Sequence, residues 1–193
     1  MAEPILQIEG LTKRFGGVVA SDNIALAVSA GELHAIIGPN GAGKTTLIGQ
    51  LTGEVTPDAG RIVFGGADIT RSPTYRRSLS GLARSFQITS LFQDFTALDN
   101  VALATSPRML LLDEPMAGMG PDESARMVKT LRELKRDLTI LLIEHDMEAV
   151  FALADRITVL VYGRTIASGT PEAIRANAEV RQAYLGEQEA VDG

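Results

Sequence analysis

The chain contains no cysteine, which excludes a disulfide framework, a zinc ribbon and thiol catalysis. It has two histidines, His34 and His145, too few for a histidine-rich metal centre. No apolar run approaches the roughly 18 residues of a membrane-spanning helix. The longest, such as Ile157 to Val161, have the length of a strand. The opening Met1-Ala-Glu-Pro4 lacks the basic and apolar regions of a secretory leader. The expected location is therefore the cytosol, or a membrane surface reached through a protein partner. A formal net charge of −6 disfavours general attraction to phosphate backbones, so no nucleic-acid partner is expected.

What is present is ordinary globular material. The 193 residues are 45% hydrophobic and 22% charged, which fits a single compact domain with a real core. Leu6 to Glu9 reads as a short strand, and Asn23 to Ser29 as a half-buried one, with Ile24, Leu26 and Val28 alternating. Leu33 to Ile37 is a short apolar run of the kind that forms a buried strand. Thr45 to Leu51 predicts a helix ending at Gly53, and Arg61 to Phe64 a further strand.

The later half alternates regularly. Strands are predicted at Met109 to Leu112, Thr139 to Ile143 and Ile157 to Tyr162, and helices at Pro121 to Arg136 and Met147 to Ala154. The first of these helices has Ala125, Val128, Leu131 and Leu134 on one side. Gly163-Arg164 predicts a hairpin into Thr165 to Ala167, and Thr170-Pro171-Glu172 a capped helix start. Such alternation indicates an α/β fold, a mostly parallel sheet flanked by helices with an antiparallel β portion. The tail from 187 to 193 is expected to be flexible.

The chemistry concentrates in a few places. Gly38-Pro39-Asn40-Gly41-Ala42-Gly43-Lys44-Thr45 is a complete G-x-x-x-x-G-K-[ST], followed by Thr46, between a buried strand and a helix. Glycines let the backbone N–H groups curl around phosphate oxygens, and the helix start adds positive potential. Lys44 is suited to reach the β- and γ-phosphates and the Thr45 hydroxyl to ligate Mg²⁺. This pattern predicts a bound nucleoside triphosphate with Mg²⁺.

Asp113 and Glu114 follow an apolar strand, at the sheet edge where α/β proteins bind ligands. Asp113 can hold Mg²⁺ and Glu114 can act as general base toward water; alone, such a pair is more often a loop or helix cap. His145 follows another strand, and is either a capping surface residue or a donor to the γ-phosphate. Gln87 can reach a Mg²⁺-bound or attacking water with its carbonyl oxygen. Phe15, ahead of Gly16-Gly17, is either a small core aromatic or a platform for adenine. His34, inside a buried strand, reads as structural.

In this order the pieces resemble the nucleotide-binding subunit of an ABC transporter, over nearly the whole chain. The resemblance implies a P-loop NTPase core of ABC type. It sets Phe15 at the adenine-stacking position, Gly38 to Thr45 at the Walker A loop and Gln87 at the Q-loop, a catalytic and metal position. It further sets Met109 to Glu114 at Walker B with its catalytic glutamate, and His145 at the switch histidine. Within that superfamily, "KRFGGVVASDNIALAV", "GLARSFQITSLFQDFTALDNVALA", "LLIEHDMEAV" and "GTPEAIRANAEVRQAYLGE" are similar to the LivG-type importers of branched-chain (hydrophobic) amino acids. Urea importers and lipopolysaccharide-export ATPases share much of this wording. The implied partners are a second nucleotide-binding subunit, identical or not, transmembrane permease subunits and, indirectly, a periplasmic binding protein. The implied location is the inner face of the cell membrane.

One departure stands out. Relatives carry several dozen residues between the Q-loop region and Walker B, including a helical subdomain and a signature resembling Leu-Ser-Gly-Gly-Gln. That string does not occur in this sequence, and the only Ser-Gly pair before Walker B, Ser80-Gly81, precedes Gln87. "LDNVALA" begins the helical excursion of relatives and "TSPRMLLLDEP" resumes after it, so a join is expected near Ala104/Thr105. The fold expected is therefore one nucleotide-binding domain, 1–193, with the helical signature subdomain largely missing. Without it the expected behaviour is nucleotide binding with little cooperative turnover. A soluble ABC protein acting on nucleic acid or ribosomes is the less favoured alternative. Gly120 is a milder departure, in the D-loop position where relatives carry Asp or Asn.

Overall fold

A computed structural model describes residues 3–85 and 107–185. Strands β1 (Leu6–Phe15) and β2 (Val18–Val28) form an antiparallel hairpin, far longer than the two short strands the apolar pattern suggests. The extra length is polar and irregular, with shifts of register at Ile8/Leu11, Leu11/Lys13 and Lys13/Arg14, so no clean period of two marks it. The hairpin joins β4 (Ala59–Phe64) and the two-residue β5 (Ala67–Asp68) in a four-stranded sheet of order β2-β1-β4-β5.

The second sheet has six strands in the order β10-β9-β3-β8-β7-β6. They are β3 (Leu33–Ile37), β6 (Leu82–Ser85), β7 (Met109–Asp113), β8 (Thr139–Ile143), β9 (Arg156–Val161) and β10 (Arg164–Gly169). All neighbours are parallel except β9 and β10. Parallel strands need covered faces, and alternate residues of β3 serve the two. Ile36 enters a core with helix α1 (Lys44–Thr52) and the antiparallel sheet, through Leu47, Ile48, Leu51, Leu6, Ile24 and Ile62. Leu33, Ala35 and Ile37 enter the opposite core, against α3 (Pro121–Leu134) and α4 (Met147–Leu153).

Helix α3 buries Met127 and Leu131, with Val128 and Leu134 packed partly against the core. Ala125 is exposed, contrary to the stripe expected for it. The helix is turned so that the larger Met127, roughly 200° around from Ala125 at 3.6 residues per turn, takes the core face. A short α2 (Thr74–Leu79) leads into β6, and α5 (Pro171–Ala176), α6 (Ala178–Val180) and a π-helical turn at Arg181–Leu185 close the described chain. Thr170 caps α5 as expected, its hydroxyl accepting from the Ala173 N–H. Among the described residues no helix is long and apolar enough to cross a membrane.

Strand β6 ends at Ser85 and β7 begins at Met109, side by side and parallel. A parallel crossover needs about a dozen residues, so the chain between them suffices to close the sheet. The return is anchored: the Arg108 and Met109 N–H groups both donate to the Gly81 carbonyl, at 2.8 and 3.1 Å. The Arg108 guanidinium lies 5.4 Å from the Phe64 ring centroid. Gln87, the expected join near Ala104/Thr105 and the tail from 187 lie outside the described residues.

Candidate functional site

The glycine-rich loop leaves buried β3 and enters α1, as its pattern predicts. Two glycines are required by close approach. A side chain at Gly38 would collide with the Leu160 carbonyl, and one at Gly43, whose φ is +99°, with the Ala20 carbonyl. The loop is braced from outside by the tip of the β9–β10 hairpin. Gly163 donates to the Ala42 carbonyl at 2.9 Å, and its own carbonyl accepts from Asp22 at 2.8 Å. Tyr162 and Gly163 both have positive φ, the two-residue turn whose twist matches the flanking strands.

Lys44 lies over this loop, 8% exposed. Its ammonium donates to the Gly38 and Pro39 carbonyls at 2.7 and 3.1 Å. Burial pushes its pKa down, while the nearby Glu114 and Asp113 carboxylates push it back up; the net direction is down. The loop lysine and the two acids at and just after the end of β7 therefore share one electrostatic neighbourhood.

Asp113 ends β7, opposite Ile143 of β8. Burial raises its pKa and the net shift is upward, although Arg84 of β6 opposes it. Arg84 donates to Asp113 at 3.2 Å and to Glu54 at 2.7 Å. Glu114 has a φ of +49°, a left-handed conformation uncommon for a non-glycine and found where surrounding structure holds it. Its N–H donates to the Ile143 carbonyl at 2.9 Å. His145 follows β8 at the same edge with its side chain 62% exposed. The capping role left open for it belongs instead to Asp146, whose carboxylate accepts from the Ala149 N–H.

Phe15 ends β1 and is 51% exposed, which excludes the core alternative; the Lys13 ammonium lies 5.3 Å from its ring centroid. His34 is fully buried, as expected. Its Nδ1–H donates to Glu32 at 2.6 Å, and Nε2 lies 2.8 Å from the Thr158 hydroxyl. Sequence reasoning missed Arg84, Arg77 and Glu144. Each acts through contacts made by folding, with no spacing to mark it.

The residues present fit Mg²⁺ and a nucleotide. Thr45 and Asp113 offer oxygen donors, the type that ion takes, and the space around Gly41 in the loop is open. Among the described residues no group of three or more His, Cys, Asp or Glu side chains gathers at one point.

A phosphate-type loop at the carboxyl edge of a parallel sheet, with an acid-tipped apolar strand, β7, one strand removed from the loop strand β3, is the arrangement of a P-loop nucleotide-binding protein. Comparisons make this specific. Residues 21–102 match the family described as "ABC transporter", and residues 164–190 that described as "Branched-chain amino acid ATP-binding cassette transporter". The chain is 33% identical over 254 residues to the high-affinity branched-chain amino acid transport ATP-binding protein BraF of Pseudomonas aeruginosa, covering 97% of this chain and 100% of that protein. It is 32% identical, with the same coverage, to LivG of Escherichia coli K12. Among solved structures, the ADP conformation of MJ1267, an ATP-binding cassette of an ABC transporter, superposes with a TM-score of 0.84 at 27% identity, covering 96% of this chain and 100% of that one. The chain belongs to the ABC transporter family of ATP-binding proteins, whose members bind and hydrolyse ATP to energise transport and work with permease subunits.

Proposed function

We propose that this chain is the ATP-binding subunit of an importer for branched-chain or other hydrophobic amino acids. The observation that carries the reading is the shared neighbourhood of Lys44, Asp113 and Glu114 at one sheet edge. Phe15 stacks on adenine, and the N–H groups of the loop from Gly38 to Thr46 bind the phosphates. Lys44 leaves its two carbonyl partners to reach the β- and γ-phosphates. Thr45, Asp113 and, from outside the described residues, Gln87 would hold Mg²⁺, which draws charge from the phosphate oxygens. Glu114 takes a proton from the attacking water, and His145, exposed before nucleotide arrives, donates to the γ-phosphate. A second nucleotide-binding subunit completes the site, permease subunits dock the pair at the inner face of the cell membrane, and a periplasmic binding protein delivers the amino acid. The names of BraF and LivG support the substrate class.

The same relatives support a missing internal segment. Their aligned stretch of 254 residues exceeds the 193 of this chain, and the match to the ABC transporter family stops at residue 102. We infer a join near Ala104/Thr105 that removes most of the helical subdomain and the signature. The signature of one subunit contacts the γ-phosphate bound by the other and stabilises charge in the transition state. This chain then retains a Walker half-site but cannot complete its partner's. A second reading follows from that absence: a nucleotide-binding protein without efficient turnover. Both are tested by measuring ATP affinity and steady-state phosphate release on protein whose intact mass is verified at 20.5 kDa. The proposal expects MgATP binding with little turnover from that mass. Brisk hydrolysis from it would overturn the inferred loss of function, and no ATP binding would overturn the functional reading.

A further inference from the structure

Glu144 is fully buried, with an exposure of 0%, and no role above uses it. A buried carboxylate is costly unless its oxygens are bonded, and both are. Oε1 accepts from the Met116 N–H at 2.8 Å and Oε2 from the His145 N–H at 3.0 Å. Among the described residues its ion-pair contact is the His145 ring nitrogen Nδ1, at 3.7 Å. One side chain thus ties together the two loops that leave adjacent strands β7 and β8 at the nucleotide edge.

The tie falls at the residues that need it. Met116 lies two positions beyond Glu114, whose left-handed backbone is otherwise fixed by the bond from its N–H to the Ile143 carbonyl. Bonds from Ala117 to the Glu114 carbonyl and from Met119 to the Met116 carbonyl, both 3.1 Å, fold the remainder of that loop. Ile143 immediately precedes Glu144, so the two anchors of the Glu114 loop are consecutive residues of one segment. His145 is the next residue along.

We propose that Glu144 is a positioning residue for hydrolysis, setting the spacing between Glu114 and the His145 backbone; this rests on the catalytic roles proposed above. A carboxylate can accept both N–H groups, whereas a carboxamide has one accepting oxygen and an NH₂ that opposes the other. Glu144→Gln therefore breaks one bond at nearly constant volume.

The test compares wild type with Glu144→Gln, and with Glu144→Ala where it folds, using Glu114→Gln as reference. Three quantities are read: hydrogen exchange at the Met116 and His145 amides, MgATP affinity, and the slow basal hydrolysis of a single turnover, followed to completion with protein in excess. The expected result for Glu144→Gln is exchange about tenfold faster for at least one of the two amides and hydrolysis slower by about tenfold or more. MgATP affinity is expected to stay within about twofold, because the phosphate loop is untouched. Hydrolysis at the wild-type rate from a folded variant would overturn the proposal. So would affinity and hydrolysis falling in parallel, the sign of a general structural role. If Glu114→Gln does not slow hydrolysis, the role proposed for Glu114 fails by itself. The amide exchange then still decides whether Glu144 holds the two loops: accelerated exchange upholds the tie, and unchanged exchange sinks it.

Discussion

Arg77 donates from Nη1 to the Gln50 carbonyl at 2.7 Å, and so caps the far end of the helix that begins at the phosphate loop. The same guanidinium donates to the carbonyls of Leu51, Thr70 and Ser72, at 2.8, 3.0 and 2.8 Å. A cation at a helix C-terminus is favoured by the helix dipole and here fills the vacant carbonyl positions. Arg77→Met is expected to cost about 3 kcal/mol, because several buried carbonyls lose their donor together. Urea unfolding measures it. Arg77→Lys should recover only a minor part, since an ammonium cannot fork to four carbonyls.

The two left-handed glycines of the loop should respond differently to alanine. Gly43 has φ +99° and faces the Ala20 carbonyl, whereas Gly41 has φ +78° with open space around it. Gly43→Ala is expected to cost about 3 kcal/mol, from strain plus collision, and Gly41→Ala about 1 kcal/mol from strain alone. Equal losses in urea unfolding would refute the collision.

Lys44→Met should weaken MgATP roughly 100-fold, the loss of a charge-assisted contact to phosphate. Calorimetric titration reads this directly. Without nucleotide the same variant should be more stable than wild type near neutral pH. Burial holds the Lys44 pKa below its usual value. Between that lowered value and the unfolded value of about 10.4, the unfolded chain binds more protons, so wild-type stability rises with pH. The advantage of Lys44→Met should therefore shrink toward about pH 10.

The pair of Glu32 and His34 gives a pH dependence of the same sign in an acidic window. Burial pushes the Glu32 pKa up, but hydrogen bonds from His34 and the Ser29 N–H outweigh it, and the net shift is downward. A depressed carboxyl contributes stability above its unfolded pKa of about 4.3 and loses it as pH falls through the folded value. Glu32→Gln should cost about 2 kcal/mol near neutral pH. The gap to wild type should close in acid, and a gap constant with pH in chemical denaturation would refute the linkage.

Strands β3, β7, β8 and β9 were legible because each is a short apolar run buried on both faces, and the glycine loop because phosphate binding demands fixed spacing. The β1–β2 hairpin was only half legible, since bulges and polar residues hide its outer half. The core face of α3 was misread at Ala125, because alanine marks a stripe weakly and packing chose Met127 instead. Arg77, Arg84 and Glu144 were invisible in the sequence. Their partners are backbone groups or acids from other elements, and nothing local distinguishes a buried charge from a solvated one until the chain folds.

Strand β3, which carries the phosphate loop, lies between β8 and β9, and the loop is braced by Gly163. During synthesis the loop leaves the ribosome well ahead of these neighbours, since β8 begins only at Thr139 and β9 at Arg156. Until they emerge, β3 has no partner on either side and the Ala42 carbonyl lacks its donor. A nascent chain therefore presents the loop without its flanking strands and brace through much of its translation. The surroundings of the phosphate loop are thus among the last parts completed, although its motif is among the earliest made.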